Sequence, residues 1–148
     1  MIEGKWFPPG TGIAQALQVR RAVLEKGPDD ADLMAWQAVA YFAGHAAGTG
    51  RIWWQDGAFW LGDICVLPEF RRQRLGDFLV RLLLYKAQQH SARRVMLQAP
   101  QDMMPFFEKY GFTVEGTPGQ DGSITLTLEG KDILLDGCAG CKAGKDQS

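Results

Sequence analysis

Three arginines crowd one short segment, Val66-Leu67-Pro68-Glu69-Phe70-Arg71-Arg72-Gln73-Arg74-Leu75-Gly76-Asp77-Phe78-Leu79. The chemistry open to Arg71, Arg72 and Arg74 is anion binding, because guanidinium groups donate charge-assisted hydrogen bonds to phosphate oxygens. Their setting favours it. A strand that feeds into a helix start presents unpaired backbone N–H groups and the positive end of the helix dipole. Cationic side chains placed there oppose the dipole by about 0.3–1 kcal/mol each, so three of them call for an anion to offset them. Gly76 falls in the first turn, where the missing side chain lets a ligand approach the backbone. The alternative is an ordinary solvated helix start.

Two further groupings carry chemistry-bearing side chains. Asp29, Asp30 and Asp32 form an acidic loop. It reads either as a solvated turn with a capping aspartate or as an attractor for a cationic substrate. Cys138-Ala139-Gly140-Cys141 has the spacing of a metal knuckle or redox pair, yet no second pair completes four ligands. It lies in a Gly/Lys-rich stretch, 137–148, expected to be a flexible tail, and no metal is assigned to it.

The elements that position the basic turn follow from periodicity. Phe59 to Leu67 is rich in β-branched and aromatic residues and is closed by Pro68, which reads as a strand. From Arg72 the period changes: Leu75, Phe78, Leu79, Leu82, Leu83, Lys86 and Ala87 recur at helical spacing. Arg94 to Ala99 reads as a buried strand, parallel to the first through a right-handed crossover, so the basic turn sits inside a βαβ unit. Before it come at most a short N-terminal strand, a helix from Ile13 to Leu24 stopped by Gly27-Pro28, and strands at 35–42 and 49–54. Gly44-His45-Ala46-Ala47-Gly48 is taken as a break between those two strands, and Asp56-Gly57 as a hairpin. After the βαβ unit come a short helix, Met103 to Lys109, and a final strand pair at 112–115 and 123–128.

At 148 residues the chain is sized for one domain, expected over 1–136. Sixteen basic against seventeen acidic residues give a net charge of −1, which argues against a general nucleic-acid or membrane-surface binder and makes the basic turn local. No apolar run approaches a membrane span, and Met1 to Trp6 lacks a signal-peptide core, so a cytoplasmic location is expected. Cys65 reads as a buried strand thiol.

Val66-x-Pro68-x-Phe70-Arg71-x-x-Arg74-x-Gly76 on a strand-turn-helix, followed by Phe106-Phe107-Glu108-Lys109-Tyr110-Gly111-Phe112, resembles the GNAT superfamily of acyl-CoA-dependent N-acyltransferases. The resemblance implies an α/β (α+β) fold: a mixed, mostly antiparallel twisted sheet of six to seven strands around a central parallel βαβ unit, flanked by helices and split near its middle. It implies acetyl-CoA as cosubstrate, held by Ile64, Val66, Arg71, Arg72, Gln73, Arg74, Leu75, Gly76 and Asp77. The turn would cradle the pyrophosphate and the strand at Val66 would pair with the pantetheine arm. Arg74 stands where the family pattern has its first glycine.

The implied reaction moves an acetyl group to a primary amine of an unidentified acceptor by direct attack in a ternary complex. Family members often carry a tyrosine as general acid where this chain has Phe107, which has no proton to give. Tyr110, three residues on, is the remaining tyrosine of that motif, with core packing as its alternative role, and Tyr41 or water is a further donor. Asp63 is the candidate base for the attacking amine, with pairing to Arg51 or Arg94 as its alternative. His45 and His90 read as loop and helix-end residues. A non-catalytic acyl-CoA-binding module is the competing function, motivated by Phe107; the oligomeric state is left open, a homodimer included.

Overall fold

The computed structural model describes residues 1–11 and 13–135. The tail expected at 137–148, with Cys138 and Cys141, lies outside the described residues. β1 (Ile2–Phe7) is followed by α1 (Ala14–Leu24), then β2 (Trp36–Phe42), β3 (His45–Gln55) and β4 (Ala58–Val66). α2 (Leu75–Gln89) crosses to β5 (Arg94–Pro100); α3 (Met104–Glu108), β6 (Thr113–Glu115) and β7 (Ser123–Glu129) complete the fold. The strands form one seven-stranded sheet in the order β1-β2-β3-β4-β5-β7-β6, antiparallel throughout except for the β4/β5 pair.

The two sheet faces are partitioned by strand alternation. Ala38 and Ala40 of β2 join Leu75, Leu79, Val80, Leu83 and Leu84 of α2 in the main core. Val39 and Tyr41, between and beside them, pack with Ala16 of α1 on the other face. That second face is also polar: Gln37, Thr49 and Arg51 are buried there with Arg20 of α1.

Two features separate β4 from β5. Only Phe59, Trp60 and Leu61 pair with Val95, Met96 and Leu97. Directly after this, Asp63 and Ile64 stand opposite the single residue Gly50 of β3, a β-bulge in which Asp63 takes a left-handed φ of 52°. A bulge bends its strand and turns it away from its neighbour. The split between the parallel strands therefore begins at Asp63. Gly50 is tightly covered: a Cβ there would meet Leu83 Cδ1 at 3.0 Å and Ile64 Cγ1 at 3.2 Å, and both side chains would have to give way.

Several boundaries move from their expected places. The break expected at 44–48 is mostly strand, because Ala43 and Gly44, with φ 51° and 83°, make a two-residue hairpin and β3 starts at His45. Glycine is used within β3 because α2 presses on it, Gly48 lying under Leu79. α2 begins at Leu75 and not at Arg72, since Arg72 and Arg74 both adopt left-handed φ, 72° and 62°, which a helix cannot contain. The N-terminal strand is a full six residues, paired along its length with β2. No helix among the described residues is long and apolar enough to cross a membrane.

Candidate active site

A cavity of about 620 Å³ opens where β4 leaves β5. Its apolar walls are Val23 and Leu24 at the end of α1, Ile64, Cys65 and Val66 of β4, and Met103, Phe106 and Phe107 around α3. Its far end is the basic turn, with Arg71, Arg72 and Arg74 leading to Leu75, Gly76 and Asp77. No side chain caps α2 at this end, and the first helical bond to its backbone is Phe78 N–H to Arg74 O at 3.0 Å. The N–H groups of Leu75, Gly76 and Asp77 thus border the cavity without partners inside the helix. An elongated ligand with an apolar arm and an anionic end matches this layout.

The turn holds backbone strain of the kind that accumulates at binding sites. Left-handed φ at a residue other than glycine costs about 1–2 kcal/mol, and Arg72 and Arg74 both adopt it. Arg71 folds back so that its Nε donates to the Val66 carbonyl at 3.2 Å, tying the turn to the end of β4. Gln73 is exposed and does not border the cavity. Glycine in place of Arg74 preserves this backbone and removes one cation. Arg74→Gly should keep the fold and weaken acetyl-CoA binding about 3- to 10-fold, as read by calorimetry; tighter binding would show that strain outweighs charge here.

A smaller cleft of about 210 Å³ continues into the split, sharing Leu24, Ile64, Met103 and Phe107 with the main cavity and adding Leu61, Gly62, Leu97 and Gln98. Asp63 is the one carboxylate that borders it among the described residues. Its carboxylate is held by Lys26 Nζ at 3.0 Å, Arg51 Nη2 at 3.0 Å and Arg20 Nε at 3.5 Å. The Arg51 pairing expected as an alternative is therefore present, whereas Arg94 lies near Glu115 and Glu129 instead.

Behind Asp63 the charges form one network. Arg20, fully buried, grips Asp32 through Nη1 at 2.9 Å and Nη2 at 3.1 Å, and Nη2 also donates to Gln37 Oε1 at 3.0 Å. Arg51 donates to Asp29 at 2.6 and 2.8 Å and to Asp32 at 2.9 Å, with the Trp53 ring 4.9 Å from its guanidinium carbon. The hydrogen bonds from Arg51 hold the Asp29 carboxyl well below the ordinary carboxylate range. Burial alone would raise Asp32, but the Arg20 guanidinium, the Asp29 N–H and Arg51 outweigh it and lower its pKa. The capping aspartate expected in segment 29–32 is present, with Asp29 and Asp30 exposed and Asp32 buried. The segment is a 3-10 turn, Asp30–Leu33, with Asp29 and Asp32 in a capping box and both carboxylates turned to arginine.

The tyrosines lie elsewhere. The Tyr110 hydroxyl donates to Asp77, which also accepts from Arg81 Nε at 3.0 Å; burial and then Asp77 push the phenol well above its usual range. Tyr110 borders a separate polar pocket and neither of the two apolar ones. Tyr41 is buried under α1 with its hydroxyl on Gln15. The residue that does stand between the two clefts is Phe107, 6% exposed. Cys65 lies on the main cavity wall, its thiol pushed up to about 11 by burial and then by Asp63, which keeps it protonated and inert at neutral pH. His45 stacks on Phe70, and His90 caps the end of α2 beside Phe59.

Residues 10–112 match the model of the Acetyltransferase (GNAT) family. No curated protein matched the sequence. Among solved structures, Escherichia coli ElaA is similar at a TM-score of 0.74 and 21% identity, covering 87% of this chain and all of that one. An acyl-CoA N-acyltransferase from Pseudomonas aeruginosa superposes at a TM-score of 0.75 with 19% identity, covering 86% of this chain and 99% of its own. A GNAT family acetyltransferase from Elizabethkingia anophelis with acetyl-CoA bound gives 0.68 at 18% identity, over 86% and 97% of the two chains. At these identities the structures testify to the fold, a split sheet with one parallel strand pair. The family model spans most of the chain, including the basic turn and the Phe106–Phe112 motif, and the protein belongs to the GNAT family of acetyltransferases.

Proposed function

We propose that the protein transfers an acetyl group from acetyl-CoA to a primary amine held in the smaller cleft. The observation that carries this reading is the continuous path from the basic turn, past Val66, to Asp63. The pyrophosphate lies against the N–H groups of Leu75, Gly76 and Asp77, with Arg71, Arg72 and Arg74 around it. The pantetheine follows Ile64 and Val66, whose strand is unpaired on the β5 side beyond Leu61.

In the reaction the amine nitrogen attacks the thioester carbonyl carbon, the C–S bond of the resulting oxyanion breaks, and CoA leaves as a thiolate. Asp63 takes the amine proton, directly or through water, after exchanging one of its cationic partners. Lys26 is the partner most open to exchange, being 42% exposed. Phe107 cannot protonate the departing sulfur. Tyr110 borders neither cleft and its hydroxyl is bonded to Asp77, so it is not placed to do so either; an ordinary thiol pKa of about 8.5 makes CoA a fair leaving group without help. Most of the acceleration then comes from holding amine and thioester together. The partner in this reading is an amine-bearing acceptor, with no nucleic acid or membrane partner, and a cytoplasmic setting supplies acetyl-CoA.

Phe107 and the heavily paired Asp63 favour one competing reading, an acyl-CoA-binding module without turnover. Calorimetry with acetyl-CoA, followed by assay of free thiol across a panel of amines, separates them. Binding with acceptor-dependent thiol release supports the enzyme, and binding with no release under any amine supports the module. Absence of binding removes both.

A further inference from the structure

We propose that the smaller cleft takes an apolar monoamine, an alkyl or aryl-alkyl chain with one amino group and no second charge, and that polyamines and lysine-rich peptides are poor acceptors. This names the acceptor class of the site and rests on the acyl-CoA reading above. Leu24, Leu61, Leu97, Ala99, Met103 and Phe107 supply much of the cleft's wall. At about 210 Å³ it is smaller than the ~300–1,000 Å³ of sites for drug-sized ligands, so it suits a short alkyl chain or one aromatic ring. Its mouth is apolar as well. Leu24 and Met103 border both clefts, yet they are 42% and 40% exposed, so an apolar body seated there would cover side chains that water now reaches.

The charges around the cleft argue against a second amine. Asp63 is its one bordering carboxylate among the described residues, and Lys26, Arg51 and Arg20 already lie 3.0, 3.0 and 3.5 Å from it. One ammonium can exchange for Lys26 there, but a second one finds no free acid. Gln98, which is exposed, offers only a neutral amide. Asp29 and Asp32, the nearby acids that would draw a polycation, are held by Arg51 and Arg20. In the main cavity the one carboxylate among the described residues is Asp77, taken by Arg81 and Tyr110. A dication entering the cleft therefore gives up hydration at its second charge with no carboxylate to replace it, whereas an alkyl tail gains by leaving water.

Hexylamine and 1,6-diaminohexane share one chain and one reacting group and differ only in the far amine, so the pair tests the assignment. With the full chain and saturating acetyl-CoA, kcat/KM should be about 10-fold or more higher for hexylamine. It should also climb about 4-fold per methylene from propylamine to hexylamine. Calorimetric titration of each amine into the CoA-loaded protein, which needs no turnover, should give the same order. Met103→Glu sets a carboxylate at an exposed position of the mouth and should cut the preference for hexylamine by about 2- to 5-fold, the range of a surface ion pair. The comparison in the native protein stands if that variant disturbs folding. Equal or stronger use of the diamine in the native protein, or binding of neither amine once CoA is bound, would overturn the apolar acceptor class and leave the coenzyme reading standing. Failure to bind acetyl-CoA would overturn that reading itself.

Discussion

Replacing Arg51 by methionine should lower the unfolding free energy by about 3–5 kcal/mol at neutral pH, the range seen when one member of a buried ion pair is removed. Arg51 is 3% exposed and reaches Asp29, Asp32 and Asp63 at once. With it the network is neutral: Arg20, Lys26 and Arg51 balance the three aspartates. Without it a net negative charge is left in a buried region, and Asp32, 5% exposed, keeps only Arg20 of its two arginines. The alkyl part of the lost side chain is replaced, so the loss reports charge more than volume.

The pH dependence should also change sense. In the native protein Asp29 and Asp32 have folded pKa values below the ordinary 3.8, so near pH 4 the folded state binds fewer protons than the unfolded one. Their contribution is complete above the ordinary value and is lost as pH falls from there through the lower folded values. In Arg51→Met a carboxyl that has lost its counter-charge in a buried site is expected to have a raised folded pKa, so that variant regains stability as pH falls toward about 5. Urea unfolding at pH 7.5 and pH 5.0 should therefore show the gap between the two proteins narrowing at the lower pH. A gap that stays constant would mean that lost packing, and not an orphaned carboxylate, accounts for the destabilisation. Asp32→Asn added to Arg51→Met should restore part of the loss at pH 7.5, since it removes the charge that Arg51 no longer balances.

This network explains why Asp63 sits where it does. A left-handed aspartate at a bulge is a strained position, and three cations from α1, the segment after it and β3 hold it there. The same contacts fix the end of α1 against the split, placing Leu24 over both clefts. The polar face of the sheet is thus the scaffold for the proposed acceptor side of the site, while the apolar face, packed on α2, supports the proposed coenzyme side.

Local pattern carried the elements around the proposed coenzyme half of this arrangement. The strand ending at Val66, the proline that closes it, the helix containing Leu75, Leu79 and Leu83, and Gly111 after the aromatic motif all declare themselves over a few neighbouring residues. The turn was harder, because nothing in residue type announces left-handed backbone at Arg72 and Arg74, where glycine or asparagine would. The acceptor half was nearly invisible. Arg20 stands at an apolar spacing within an otherwise ordinary amphipathic helix, and its partner Asp32 is twelve residues away; Arg51 reaches Asp29 across twenty-two. Such pairs have no local signature, so the sequence leaves the segment open between a capped solvated turn and an attractor for a cationic substrate, whereas the Asp29 and Asp32 carboxylates are already paired with arginine. The segment 44–48 misleads for another reason: its small residues resemble a loop, yet Gly48 is small because Leu79 lies on it.

Phe107→Tyr should raise kcat by about 10-fold or more, toward the 10²–10⁴ that a positioned acid typically contributes. Phe107 lines both clefts, so a hydroxyl added to its ring would be placed at their junction, where the proposed thiolate departs. Among the described residues no serine, threonine or tyrosine lines either cleft, and the hydroxyls of Tyr110 and Tyr41 are bonded to Asp77 and Gln15. The ring is 6% exposed and packs edge-on against Phe106 and Phe112, so the substitution keeps its contacts and adds only the oxygen. Because the new group acts on the leaving sulfur and not on coenzyme binding, KM for acetyl-CoA should stay within about 3-fold, and the gain should fade above pH 10 as an ordinary phenol ionises. If kcat does not change while the variant remains folded, proton delivery to sulfur is not limiting in the native enzyme, and the rate is set by amine deprotonation at Asp63 or by product release. If the native chain shows no turnover and the variant does, the missing hydroxyl is what separates a coenzyme-binding module from an enzyme in this fold.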